Sequence, residues 1–228
     1  CSGCASHSSI LLEGDRVMEE KLGAFLLSLI FLSFAISLIP MSYVSYGPIY
    51  ERKISFDGCK EVNISLEVGS IELLRSNGSD PYAIVRGVQI SDLNSGRLVG
   101  LMGKLSIYIP EGWRGSFMIS MRHGSITLNG VELKEISIYM GSGLVEGDLT
   151  VLTRVRVELR RGSVSLALSV PSDSEPKVTL RCMHYVLRYD GKVLSGSSFE
   201  SLLWRGSYPM SIEIRANSAE LSLLRFKG

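Results

Sequence analysis

Apolar and polar residues alternate along most of the chain beyond residue 54, and five stretches repeat one twelve-residue pattern centred on Gly69, Gly124, Gly143, Gly162 and Asn217. Counted from these centres, the positions seven, five and three before and two and four after read Val62, Ile64, Leu66, Ile71 and Leu73 in the first copy. The second reads Phe117, Ile119, Met121, Ile126, Leu128, and the third Ile136, Ile138, Met140, Val145, Gly147. The fourth reads Val155, Val157, Leu159, Val164, Leu166, and the fifth Met210, Ile212, Ile214, Ala219, Leu221. Twenty-four of these twenty-five positions are apolar, where random placement in a chain that is 45% hydrophobic would give about eleven. A period of two predicts strands with one buried face and excludes an amphipathic helix. The apolar phase changes across the central residue, which predicts a corner where the chain bends and starts a second strand facing the same core. Corners of this kind use positive φ, which suits glycine first and asparagine next, so Asn217 is expected to stand in for glycine on that ground. Ser70, Ser125, Ser163 and Ser218 follow four of the corners, and Leu144 replaces the serine in the third copy.

The three central corners are nineteen residues apart, enough for two strands of about seven residues and two corners, which is one turn of a β-solenoid. The outer corners are 55 residues from their neighbours, two short of three such turns, so hairpin-like excursions are expected in those gaps. Arg97 to Ile109 reads as a strand ended by Pro110-Glu111-Gly112, and Lys177 to Tyr189 leads into Asp190-Gly191, a tight-turn signal. The predicted fold class is all-β, a β-solenoid-like stack of strand repeats. The rival is an antiparallel β-sandwich, with Asn129-Gly130, Glu146-Gly147 and Asp190-Gly191 as hairpin turns.

Ahead of the repeats, residues 22–39 form an eighteen-residue run without a charge. As a helix this run is about 27 Å long, close to the thickness of a bilayer core. A single transmembrane helix is therefore expected, and its length and the absence of a small-x-small site after it argue against a cleaved signal peptide. The organisation that follows is a short N-terminal tail over residues 1–21, the helix over 22–39, a linker over 40–53 and a β-strand-repeat domain over 54–228. Met18 lies directly before Glu19-Glu20-Lys21 and the apolar run and is an expected start, which would make residues 1–17 either spurious or the end of something truncated upstream. Lysine and arginine flank the helix equally, so orientation rests on the long polar domain being outside, with the sequons at Asn63 and Asn77 as candidate glycosylation sites. Outside the cytoplasm Cys59 and Cys182 are able to form a disulfide, the other expectation being that each is a small buried hydrophobe.

Charge changes the picture only by exclusion. Twenty-four lysines and arginines against 23 aspartates and glutamates give a net charge of +1, no footprint for nucleic acid. Cys1, Cys4 and His7 look like half a zinc knuckle without a fourth ligand, and no metal or other cofactor is expected. His123 and His184 sit in strand-like surroundings, as rim residues. Glu72, Glu146 and Glu220 each lie three residues after a corner, with Thr127 and Ser165 in the other copies. They form a polar stripe that keeps the stack soluble or, alternatively, supplies carboxylates for glycoside hydrolysis. Arg122, Arg160 and Arg215 lie two before their corners, with Glu67 and Gly141 in the remaining copies, as a second ladder. Trp113-Arg114 and Trp204-Arg205 offer either end caps or contacts to a sugar or peptide.

Residues 105–131, LSIYIPEGWRGSFMISMRHGSITLNGV, and the rungs after them resemble the putative-adhesin family of β-strand-repeat domains of unknown function. The resemblance covers residues 54–226 and rests on strands ending in proline, Ile109-Pro110 and Val170-Pro171, followed by Gly-Ser-apolar corners such as Gly124 to Ile126 and Gly162 to Val164. It implies a right-handed β-solenoid-like domain, often membrane-attached, with a suggested adhesion role and no catalytic residues. Together these features lead us to expect a non-enzymatic, single-pass cell-membrane protein that holds residues 54–228 outside the cytoplasm for adhesion, interaction or envelope structure. Its expected partners are the membrane, through residues 22–39, and an envelope glycan or protein. Alternatives are a carbohydrate-active enzyme on a β-helix scaffold and an envelope-sensing signalling accessory.

Overall fold

In the computed structural model of the protein the described residues are 51–92 and 96–226, the side chains of 88–92 excepted. Their regular structure is all strand: β1 (Glu51–Ser55), β2 (Glu61–Ser76), β3 (Tyr82–Asp92), β4 (Arg97–Pro110), β5 (Ser116–Pro171), β6 (Ser174–Tyr189), β7 (Lys192–Leu202) and β8 (Tyr208–Phe226). They form one mixed sheet in the order β1-β3-β4-β2-β5-β8-β6-β7. Residues 51–53, expected as linker, already belong to β1. The helix expected over residues 22–39 lies outside the described residues, among which no helix is long and apolar enough to cross a membrane.

The alternation builds the core directly. All twenty-four apolar positions of the repeat are buried, none more than 5% exposed. β2 and β5 run parallel with Val62 opposite Phe117, Ile64 opposite Ile119, Gly69 opposite Gly124 and Ile71 opposite Ile126. Equivalent residues of successive copies thus lie side by side at the roughly 4.8 Å spacing of hydrogen-bonded strands. Each fully buried aliphatic side chain contributes about 1.5–3 kcal/mol before ordering entropy, and one copy alone has no neighbour to bury against. The same nineteen-residue rise holds inside β5, where the Thr153 hydroxyl donates to the Lys134 carbonyl at 2.8 Å and Arg154 meets Glu135 at 3.1 Å.

Close approach, in addition to φ, selects the corner glycines. A Cβ on Gly143 would land 1.9 Å from the carbonyl oxygen of Gly124, and one on Gly124 or Gly162 would land equally close to that of Gly69 or Gly143. The φ values of Gly124, Gly143 and Gly162 are +151°, +149° and +135°, which L side chains rarely adopt. The column continues to Gly103 of β4, opposite Gly69. That corner escapes the sequence pattern because Gly96 and Gly100 occupy its first and third positions, although Leu98, Leu105 and Ile107 are fully buried.

Asn217 corrects the expectation drawn from φ. Among the described residues Asp190 is the only non-glycine with positive φ, so Asn217 is not a conformational substitute for glycine. Across its corner Arg215 lies opposite Glu158 but Ser218 lies opposite Ser163, so four residues of β5 face only two of β8. The Gly162 N–H at this shortened corner donates to Asn217 Oδ1 at 2.8 Å. A side-chain oxygen thereby supplies the acceptor that a half-buried amide without a strand partner requires. The fifth copy is offset by two residues before the corner, with Ile212 and Ile214 beside Val155 and Val157. A shift of two leaves an alternating pattern unchanged, so sequence periodicity could not register it.

The hairpin-like excursions expected in the 55-residue intervals are present. Gly69 and Gly124 are immediate neighbours in the sheet, and so are the rungs of Gly162 and Asn217. The intervening chain goes elsewhere: the β3–β4 antiparallel hairpin adds beyond β2, and the β6–β7 hairpin lies beyond β8. Asp190 and Gly191, with φ of +46° and +73°, make the tight turn between Tyr189 and Lys192. Asn129-Gly130 and Glu146-Gly147, candidate hairpin turns of a sandwich, lie inside β5.

Candidate functional site

Residues an even number of places before a corner point away from the core. Four before are Ser65, Ser120, Tyr139 and Glu158, and two before are Glu67, Arg122, Gly141 and Arg160; they line a groove of about 680 Å³ crossing the strands. The two-residue offset of β8 completes it, because Arg215 opposes Glu158 and joins the column of Ser120 and Tyr139. The arginine ladder expected from sequence is thus real for Arg122 and Arg160, with Arg215 one column away. Gly141 interrupts the ladder between them: a Cβ there would lie 2.6 Å from the Arg122 carbonyl oxygen, so its rung is bare, with Tyr139 beside it.

Among the residues that line the groove, charge is paired except at one place; outside the lining, Arg161 next to Arg160 and Arg181 opposite Arg215 are exposed and also without an ion pair among the described residues. Arg122 meets Glu67 at 3.3 Å, Arg156 meets Glu158 at 2.6 Å, and Arg215 meets Glu213 at 2.9 Å. Four arginines (122, 156, 160, 215) against three glutamates (67, 158, 213) leave a surplus of one positive charge, and Arg160, exposed, is the one without an acidic partner among the described residues. The Glu158 carboxylate raises the pKa of Arg156 further above its ordinary value, with the nearby Tyr139 hydroxyl adding to it. The Arg156 guanidinium also stands 5.7 Å from the Tyr139 ring centre. The Nε of Arg215 is buried without a hydrogen-bond partner, a cost of about 1–3 kcal/mol for such a donor.

The acidic stripe is arranged differently. Glu72, Glu146 and Glu220 share a column but occupy alternate rungs, with Thr127 beside Glu72 and Ser165 beside Glu220. Two rungs separate their backbones by about 9.6 Å, at the far edge of the roughly 6.5–9.5 Å used by paired carboxyls in inverting glycoside hydrolysis. Asn129 donates to Glu72 at 3.2 Å and Arg188 pairs with Glu220, so two of the three carboxylates already have partners.

The remaining candidates are structural neighbours of the core or surface points. Trp113 packs beside Phe117 with ring centres 5.4 Å apart, and Arg225 lies 4.1 Å over the Trp204 ring. His123 Nδ1 and the Ser142 hydroxyl share a hydrogen bond of 2.6 Å on the exposed corner, and His184, also exposed, lies opposite Ser218. Asn63 faces outward on β2, and Asn77 lies in the exposed turn after β2, both accessible as sequons. Cys59 and Cys182 are free thiols; Cys182 is buried in the core of β6 and Cys59 packs partly buried just before β2, with β5 and β8 between those two strands. Cys1, Cys4 and His7 lie outside the described residues. Sequence reasoning missed the groove because the placement of Arg215 in it depends on the β8 offset; the bare Gly141 between two arginines was its one visible signal.

No protein-family model matches this chain, and no curated protein matches it. Among solved structures it is similar to a putative cell adhesion protein from Clostridium sporogenes, at 13% identity over 78% of this chain and 100% of that one, with a TM-score of 0.49. It is also similar to a putative adhesin from Bacteroides fragilis, at 10% identity over 77% of this chain and 97% of that one, with a TM-score of 0.29.

Proposed function

We propose that this protein is a non-catalytic module, anchored in the cell membrane through residues 22–39, that presents a β-solenoid-like stack outside the cytoplasm for adhesion or interaction at the envelope. The observation that supports this reading most is the groove of about 680 Å³ built from outward residues of several rungs. Its lining side chains stand on strands paired in register, so their relative positions are fixed by the ladder and need no ordering when a partner arrives. Strand amides and carbonyls beneath the groove are engaged by neighbouring rungs, so recognition runs through side chains, as binding at a surface requires and strand addition does not.

The test is made on intact cells. A membrane-impermeant amine-reactive label should modify exposed Lys134 and Lys177 while a cytoplasmic marker stays unlabelled, and cells lacking the protein should lose attachment to an envelope or host surface. Residues 54–228 left as unlabelled as the cytoplasmic marker would overturn the placement. Attachment unchanged by deletion, with turnover of an envelope polysaccharide lost in Glu72→Gln/Glu146→Gln/Glu220→Gln, would replace the reading with the enzymatic one.

A further inference from the structure

We infer that the groove holds one strand of an acidic polysaccharide, with a carboxylate or sulfate of the glycan seated on Arg160 and a sugar ring lying over the bare rung at Gly141 against Tyr139. The inference rests on the interaction reading above and names its ligand class.

Three features of the groove define the occupant. The first is charge: Glu67, Glu158 and Glu213 are already matched by Arg122, Arg156 and Arg215, and Arg160 is the cation left over. One unmatched guanidinium selects a ligand with spaced single negative charges. A nucleic acid, with a phosphate at every nucleotide, would place further charges against Glu67 and Glu158. The second is shape. Gly141 takes one side chain out of a continuous column, and the gap lies beside the Tyr139 ring. A pyranose ring is about as long as the roughly 4.8 Å rise between rungs, so one ring spans one missing side chain. The third is hydrogen bonding. Ser65 and Ser120 line the same groove and offer hydroxyls that both donate and accept, the complement of sugar hydroxyls. An extended peptide would need backbone partners, and the backbone here is paired within the sheet.

The groove runs along the stack and across the strands, so successive sugars would meet successive rungs. Arg122 lies one rung from the bare rung and Arg215 two rungs away on the other side, beyond Arg160; although paired, both add positive potential along the groove. Binding should therefore be weakened by salt in proportion to the few charges involved.

The experiment is titration of the full chain in detergent with hyaluronan, whose carboxylates stand on alternate sugars, with neutral dextran and with polyglutamate, followed calorimetrically at two salt concentrations. Hyaluronan should bind, neutral dextran should not, and Arg160→Gln and Tyr139→Ala should each weaken binding about tenfold. Arg161→Gln, one residue along and outside the groove, removes the same charge and should change affinity less than about twofold if the site is local. Arg160 is exposed, so its replacement leaves the fold intact, which a thermal melt checks. Equal losses in Arg160→Gln and Arg161→Gln, or polyglutamate binding as well as hyaluronan, would overturn the site. If no polymer binds while the cells still attach through this protein, the ligand class is wrong and the adhesive reading stands. Binding through Arg160 without any attachment phenotype would uphold the glycan site and overturn the adhesive reading.

Discussion

Replacing Gly143 by alanine isolates the physical reason for the corner column. The new Cβ would lie 1.9 Å from the Gly124 carbonyl oxygen and 2.9 Å from its carbon. Both are backbone atoms of the next rung, so no side chain can swing away. Relief to an ordinary contact of about 3.3 Å requires the rungs to separate by more than 1 Å at the corner, stretching the hydrogen bonds on either side beyond useful length. Two or three ladder bonds at about 1 kcal/mol each, and about 1–2 kcal/mol for an L residue at φ of +149°, give a loss of roughly 3–5 kcal/mol. Gly112→Ala is the control: its φ is +77°, but nothing lies within 4 Å of its added Cβ, so only the conformational cost of about 1–2 kcal/mol applies. Urea unfolding followed through Trp113 and Trp204 fluorescence measures both variants, with the m value confirming that the unfolding transition is unchanged in extent. Equal shifts for Gly143→Ala and Gly112→Ala would show that φ alone selects glycine and would refute the packing argument.

Asn217 gives the complementary test: Asn217→Gly and Asn217→Ala should each cost about 1–3 kcal/mol in the same unfolding assay because the Gly162 N–H loses its acceptor, whereas a neutral Asn217→Gly would restore the positive-φ explanation. Burial pushes the Cys182 thiol above its ordinary pKa, so at pH 8 iodoacetamide should leave it intact in the folded protein and modify it in urea, as peptide mass mapping would show; equal rates in both states would contradict its burial. Lys177 holds the Glu200 carboxyl below its ordinary range, so its contribution is present above the unfolded value of about 4.3 and is lost as pH falls through the lower folded value. Both side chains are exposed, and the check is an NMR titration in which the Glu200 midpoint rises in Lys177→Gln.

Where the sequence specifies faces, it is legible in detail. Val62, Phe117, Ile136 and Val155 occupy one buried position in four rungs because period-two burial is a property of each strand by itself. The proline-ended strand at Pro110 and the turn at Asp190-Gly191 are equally local, and both occur where turn chemistry puts them. Gly103 was missed because the pattern demands apolar residues where Gly96 and Gly100 stand, and the corner at Met183 was missed because it has no glycine at all, although Val178, Leu180, Tyr185 and Leu187 around it are buried. The arginines were visible in the sequence, but the groove was not, since Arg215 reaches it only through a two-residue offset that alternation cannot express.

Partner choice is the part of the fold that no local pattern carries. β5 and β6 are separated by two residues, Ser172 and Asp173, yet they are not neighbours in the sheet; β8 lies between them and pairs in parallel with both. The chain therefore passes over one strand's width before β6 and leaves a place that a strand some thirty residues later must occupy. Until β8 is seated, β5 and β6 each present an unpaired edge, and the apolar faces of both lack one neighbour. The local β6–β7 hairpin can form early, but its docking depends on a contact of long sequence separation, whose closure entropy must be met before the stacking gain arrives. The offset corner is the sign of this insertion. A strand entering between two others must match the register of both, and β8 matches β6 residue for residue, so the whole mismatch falls on the β5 side, where Asn217 accepts from the half-buried Gly162 amide. The same mismatch brings Arg215 into the groove, so the element that completes the sheet also completes the candidate site.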